Sequence, residues 1–204
     1  MPKDKTETYN KIIPIAKQEF LEKGFEKASM RSIAEKVGIS AMGLYRHFRD
    51  KAAMFDELLA PLRLAFENSF DKQRTRAYGF LDNDTLEEMW VGQSDLDLFI
   101  DLVYTYFDEF RLLLCCSQGT KHANFVHDFA SFEQEETLLY MDEARKRGFP
   151  VKEIDPLELH LLLSAYYTAI FEIVVHKFSK EQALHYVKTL QTFFYPGWRA
   201  VLGM

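Results

Sequence analysis

Between Ser29 and Lys51 the chain reads SMRSIAEKVGISAMGLYRHFRDK, and no other stretch restricts the fold so tightly. Ser29 can cap a helix whose apolar residues Ile33, Ala34 and Val37 fall on one face, and Gly38 ends it. Ser40 can cap the next helix, which reaches Phe48. That helix turns Leu44 and Phe48 to one side and presents Ala41, Met42, Tyr45, Arg46 and His47 elsewhere, before Asp50 caps a third. With a small residue at Ala34 and a glycine four positions on, the first two helices can cross closely, as a DNA-reading helix-turn-helix requires.

A net charge of −6 suits a polyanion poorly until the chain is divided. Residues 1–54 hold eight Lys and three Arg against seven acids, net +4, whereas the remainder holds 14 bases and 24 acids, net −10. The basic part coincides with the helix pair. Neutralising phosphates releases counterions, so this asymmetry aims the head at a duplex and keeps the acidic body off it. Chance clustering of solvated charges is the plain alternative.

Apolar content of 48% over 204 residues is enough for one core or two small ones. The opening MPKDKTETYN has no apolar core, and no run reads as the roughly 20 apolar residues of a membrane span. The expected compartment is therefore the cytoplasm, with no membrane partner. Adjacent Cys115 and Cys116 suit neither a framework disulfide nor a spaced zinc pair, and read as buried thiols.

Proline and glycine never cut the sequence into strand-length pieces, and apolar residues recur at helical spacing, so the fold class is all-α. A capping box at Asp4-Lys5-Thr6-Glu7 opens a first helix with the stripe Tyr9, Ile12, Ile13, Ala16, Phe20, kinked at Pro14 and ending before Gly24. The helix from Asp50 is expected to reach about Arg74, followed by loops over 75–94 around a short helix carrying Leu86, Met89 and Trp90. Asp95 to Phe110 reads as one helix continued by Arg111–Cys116, and another spans about His122 to Arg147 before Gly148 and Pro150. Asp155-Pro156-Leu157-Glu158 and Ser179-Lys180-Glu181-Gln182 each start a closing helix. Their bodies, LHLLLSAYYTAIFEIVV and ALHYVKTLQTFF, are too apolar for one buried face, which fits central core helices or an interface.

Ala16, Phe20, Gly24-Phe25, Ser29, Arg31, Ile33-Ala34, Gly38, Leu44-Tyr45, Phe48, Lys51 and Phe55 together resemble the N-terminal signature of the TetR family of bacterial transcription regulators, over residues 9–55 or so. The resemblance implies an N-terminal three-helix helix-turn-helix DNA-binding domain, here residues 1–54, and a larger C-terminal helical ligand-sensing and dimerisation domain, 55–204. It further implies a homodimer on a palindromic double-stranded operator, paired through the last two long helices at about 156–178 and 180–194. In that family a small apolar or aromatic effector enters the C-terminal domain, shifts the long linker helix and releases the DNA, most often relieving repression. A DNA-bound architectural or partner-recruiting regulator without an inducer is the other reading.

On DNA, direct readout falls to Ala41, Met42 and Gly43 at the exposed start of the second helix. None can make a bidentate hydrogen bond to a base, which leaves thymine methyls and close backbone approach. Gly43 weakens a helix by roughly 1 kcal/mol relative to Ala, a misfit that makes sense if a Cβ there would strike a base or phosphate; a merely tolerated surface glycine is the alternative. Arg46 suits guanine or phosphate. By resemblance, Ser29, Arg31, Ser40, Tyr45, His47 and Lys51 match positions that contact the DNA backbone or base edges. Tyr45 equally suits packing between helices, whereas Lys51, a cation at a helix start, is better explained by phosphate than by solvent.

For the effector, Phe66, Trp90, Phe99, Phe125, Phe129 and Tyr166 are candidate walls, and Tyr106, Cys116 and Thr168 candidate polar handles. Aromatic stripes at helical spacing are also what plain core looks like. His122, His127, Asp128, His160 and His176 form no i, i+4 histidine pair, so no metal or cofactor is expected. No phosphate loop, nucleophile elbow or HExxH occurs, and Asp95, Asp97, Asp101 and Asp108 read as a solvated face, so the chain is not expected to be an enzyme.

Overall fold

The structure is a computed structural model that describes residues 5–90 and 95–203. Asp4 of the expected capping box and Gly92 of the expected loop lie outside them. Nine α-helices run through the described residues: α1 Lys5–Lys27, α2 Met30–Val37, α3 Ala41–Tyr45, α4 Lys51–Asp82, α5 Asp95–Thr105, α6 Phe107–Cys115, α7 Phe125–Lys146, α8 Pro156–Val175 and α9 Lys180–Leu202. A short 3₁₀ turn at Leu86–Trp90 carries the expected Leu86, Met89 and Trp90. The class is all-α.

Several boundaries differ from the sequence reading, each for a physical reason. Within α1 the residue with non-helical dihedrals is Gly24 (φ 72°, ψ 166°) and not Pro14, because only glycine enters that region without a Cβ clash. α4 runs on past Arg74 to Asp82, since nothing between them stops a helix that tolerates Gly79. The expected continuous helix from Asp95 breaks at Tyr106, with no glycine or proline to announce it. α9 extends beyond residue 194 to Leu202, carrying Pro196 inside it. Cys115 is exposed, unlike Cys116.

The chain packs as two units, one of residues up to Leu64 together with Tyr106–Ala123, the other of Ala65–Thr105 and Asn124 onward. The division at 54/55 expected above is thus not where packing divides: the start of α4 and all of α6 belong with the head.

In the head, Ile12, Ala16 and Phe20 of α1 are buried together with Ile33, Leu44 and Phe55, Phe20 edge-on to Phe55 at 5.1 Å. α6 braces α1 through a Lys17–Glu109 ion pair, and Phe25 N–H donates to the Cys116 carbonyl at 2.8 Å. Glu19 is fully buried where α1 crosses α2, and accepts from Lys23 at 2.6 Å and Lys36 at 2.7 Å. Burial alone would raise its carboxyl, but the two ammonium groups hold it down to about 2.

The second unit pairs α7 with α8 and packs Trp198 and Leu202 of α9 against Met141, Leu159 and Leu163. Both caps read from the sequence are present. Asp155 Oδ1 accepts from Leu157 N–H at 2.8 Å, and Ser179 N–H donates to Gln182 Oε1 at 2.8 Å while Gln182 N–H returns to Ser179 Oγ. α8 corrects the reading that no run suits a membrane: by length and composition it is apolar enough to cross one. Here it is a capped helix with Leu159, Leu163, Ile170 and Phe171 buried in this unit's core. Its other face leaves Leu157, Leu161, Ala165, Thr168 and Val175 exposed at helical spacing, and α9 leaves Phe193 75% exposed.

Candidate nucleic-acid interface and effector cavity

The turn between α2 and α3 is closed by backbone bonds. Gly38 takes the left-handed conformation (φ 78°), its N–H reaching the Glu35 carbonyl at 3.1 Å while Ile39 N–H reaches Ala34 at 3.0 Å. Ser29 Oγ accepts from Ser32 N–H at 3.4 Å and Ser40 Oγ from Gly43 N–H at 3.0 Å, so both expected caps form. Asp50 Oδ1 accepts from Ala53 N–H at 2.7 Å and starts α4. α3 itself is shorter than expected, ending at Tyr45, with a turn through Arg46 and His47 before Phe48.

Leu44 is fully buried and fixes the rotation of α3. The opposite face then projects outward: Met42 is 71% and Tyr45 52% exposed, and Ala41 and Arg46 are exposed too. Tyr45 is therefore not a packing residue between helices. Ser29, Ser40 and Arg31 are exposed as well, with Arg31 Nε bound to Glu35 at 3.1 Å across one turn, and His47 is half-buried beside Phe48. A Cβ on Gly43 would come within 3.3 Å of Ser40 Oγ, so the glycine has a local reason, room for the cap, beside any contact with DNA.

Lys51 is held by the protein itself. Its ammonium donates to the carbonyls of Phe25 at 2.7 Å, Glu26 at 3.0 Å and Ala28 at 3.2 Å, and lies 4.5 Å from the centre of the Phe25 ring. All three of its donors are spent satisfying the acceptors left open where Gly24 breaks α1. It ties α1 to α4. Lys51→Ala is expected to lower stability by about 2 kcal/mol, because charged hydrogen bonds contribute ~1.5–3 kcal/mol and three carbonyls lose their partner. Its operator affinity, measured well below the melting temperature, keeps the wild-type salt slope; a slope flattened by one unit would restore the phosphate role.

The second unit holds two adjoining cavities, of about 210 and 230 Å³, that share Phe70, Gln73 and Glu133 in their walls. Of the candidate effector residues, Phe66, Phe99, Phe129 and Tyr166 line the first. Phe125 packs behind it, 5.6 Å from Phe129, and Trp90 stands edge-on to Tyr195 at 5.7 Å. The others fall elsewhere. Tyr106 and Cys116 belong to the head unit, where Cys116 is buried over the Leu21 carbonyl, and Thr168 sits on the exposed stripe of α8. Glu133 and Tyr195 were not among the candidates, although Phe125, Phe129 and Glu133 follow one another at four-residue spacing on α7, a signal that the acid faces inward with the rings.

His122 Nε2 is bound to Asp56 Oδ1 at 2.8 Å and His176 to Glu172 at 3.0 Å, while the rings of His127 and His160 meet edge-on at 5.0 Å. Among the described residues no three metal-ligating side chains converge.

A short helix capped at its start, anchored by one buried leucine and turned outward from a basic three-helix head, is the reading element of a helix-turn-helix DNA-binding protein. The sequence profile of the bacterial regulatory proteins of the tetR family matches residues 12–58. An HTH-type transcriptional regulator of Staphylococcus aureus strain USA300 is 46% identical over 142 residues, covering 70% of each chain. Another from S. aureus strain MRSA252 is 30% identical over the same length and share. The chain belongs to the TetR family of transcriptional regulators. A crystal structure from Mesorhizobium loti assigned to that family overlays 94% of this chain on 96% of its own at a TM-score of 0.45 and 19% identity, too distant a likeness to add to this.

Proposed function

We propose that the protein is a ligand-responsive repressor that binds a palindromic operator as a homodimer and leaves it when a small effector enters the second unit. Residues 1–54 read the DNA, and within 55–204 the second unit senses and dimerises. The observation that carries the DNA half is the outward face of α3, where Ala41, Met42, Tyr45 and Arg46 are exposed over a buried Leu44. Ala41, Met42 and Gly43 offer thymine methyls an apolar surface, Tyr45 and Arg46 reach base edges or phosphate, and Ser29, Arg31, Ser40 and His47 position the head on the backbone.

Arg46→Ala removes two contacts from a two-fold complex, at ~1–3 kcal/mol each, so operator affinity is expected to fall about thirtyfold or more. Gel shift with the DNA upstream of the protein's own gene checks it; an unchanged affinity removes Arg46 from the interface. The sensing half is supported by the aromatic-lined cavities, which favour an inducer over a recruiting role, and by the modest energy that switching needs, about 1–3 kcal/mol of differential binding. The same gel shift repeated with added aromatic compounds tests it: release of the operator by at least one supports the reading, and indifference to all argues for recruitment. The apolar stripe on α8 and the exposed Phe193 on α9 support pairing of two copies, and the reading puts the protein in the cytoplasm, beside its DNA.

A further inference from the structure

Glu133 stands in the wall shared by the two cavities, and the 210 Å³ side is lined mostly by rings, beside Ser69, Gln73, Leu96 and Ile170, and holds no basic residue. On the 230 Å³ side the acid Glu136 is already matched, since Arg74 donates Nε to its Oε2 at 3.0 Å and Nη2 to its Oε1 at 2.8 Å. No cation among the described residues pairs with Glu133, whose partner is the Tyr167 hydroxyl. Desolvation pushes its carboxyl up to about 7, against the pull of Tyr167 and with a smaller push from Glu136. Around it Phe129 meets Tyr167 edge-on at 4.7 Å and lies 5.8 Å from Phe70, which stacks on Phe66 at 5.7 Å. Ring faces carry negative potential, so such a wall attracts a cation and repels an anion. A half-buried carboxylate with no cation beside it is costly, and a positively charged guest lowers that cost where a neutral or anionic one cannot.

We infer that these cavities take an organic cation with an aromatic body, its ammonium group against Glu133 and its rings among Phe66, Phe70, Phe99 and Phe129. The inference rests on the effector reading above and narrows it to one ligand chemistry. Joined, the cavities reach the range of ordinary small-molecule pockets, ~300–1,000 Å³, enough for a fused-ring amine.

A matched set of three compounds isolates charge from shape: 2-(1-naphthyl)ethylamine, 2-(1-naphthyl)ethanol and 1-naphthylacetate, titrated calorimetrically into the full chain near neutral pH. The amine is expected to bind at least tenfold more tightly than the alcohol, and the acid most weakly. Glu133→Gln is expected to bring the amine to within about threefold of the alcohol while leaving the alcohol unchanged, which also shows the variant folded. An alcohol that binds as well as the amine to the unsubstituted protein overturns the inference, as does a failure of all three to bind. Operator release is scored separately. Charge-dependent binding without release keeps the cation site and sinks the effector reading; release by the alcohol or acid with no preference for the amine does the opposite.

Discussion

Phe193→Glu is expected to turn the proposed dimer into a folded monomer of 23.9 kDa and to abolish operator binding at concentrations where the unsubstituted protein saturates it. Phe193 is 75% exposed on α9, and Leu157 and Leu161 are 65% and 60% exposed one turn apart on α8. Large apolar side chains left outward at helical spacing need a cover, and a second copy is the cover proposed above. In a two-fold interface every substitution occurs twice. Losing an aromatic anchor costs about 2 kcal/mol per copy, so the pair costs about 4 kcal/mol and the dimer weakens on the order of a thousandfold before any charge repulsion is added. DNA binding falls with it, because one head reads too few base pairs to compete with a genome of non-specific sites. Light scattering after size exclusion gives the mass. A variant that remains dimeric with unchanged gel shifts would move the interface elsewhere.

The second large effect is on the head's response to acid. Glu19 titrates at about 2 in the folded protein against an ordinary 4.5, so folding favours its ionised form. With the folded value depressed, its contribution is complete above the ordinary carboxylate range and drains away as pH falls from there toward 2. A shift of that size corresponds to at most ~3.5 kcal/mol at ~1.4 kcal/mol per unit. Lys23 and Lys36 are 42% and 44% exposed and can rehydrate, which lowers the expectation to about 2 kcal/mol. Glu19→Gln should therefore lower the melting temperature by several degrees near pH 7 and by little near pH 2. Thermal melts of both proteins across that interval decide it: a difference that does not change with pH means that the carboxylate's charge contributes nothing.

How much of this was legible in the sequence depended on how far along the chain each interaction closes. The caps at Ser29, Ser40, Asp155 and Ser179 were readable because an N-cap bond spans two or three residues, and the stop at Gly38 because a left-handed turn needs only its own residue and the preceding carbonyls. The break at Tyr106 was not, since no local breaker marks it and it coincides with the passage of the chain between the two packing units. Thr168 was a candidate polar handle for the effector, yet the helical period turns it to the exposed face of α8. Cys116 and Tyr106 lay in the right stretch of sequence and the wrong unit of structure.

Sequence alone determined that this chain is helical, that a basic helix-turn-helix opens it and that two capped apolar helices close it, because charge, periodicity and capping are short-range properties. Tertiary structure alone decided what the charged side chains do. Folding sets Lys51 over carbonyls at the end of α1, and α4 and α8 bring rings beside Glu133, which nothing in the sequence analysis had marked. An ionisable group takes its role from the dielectric and the partners around it, and those come from residues distant in the chain.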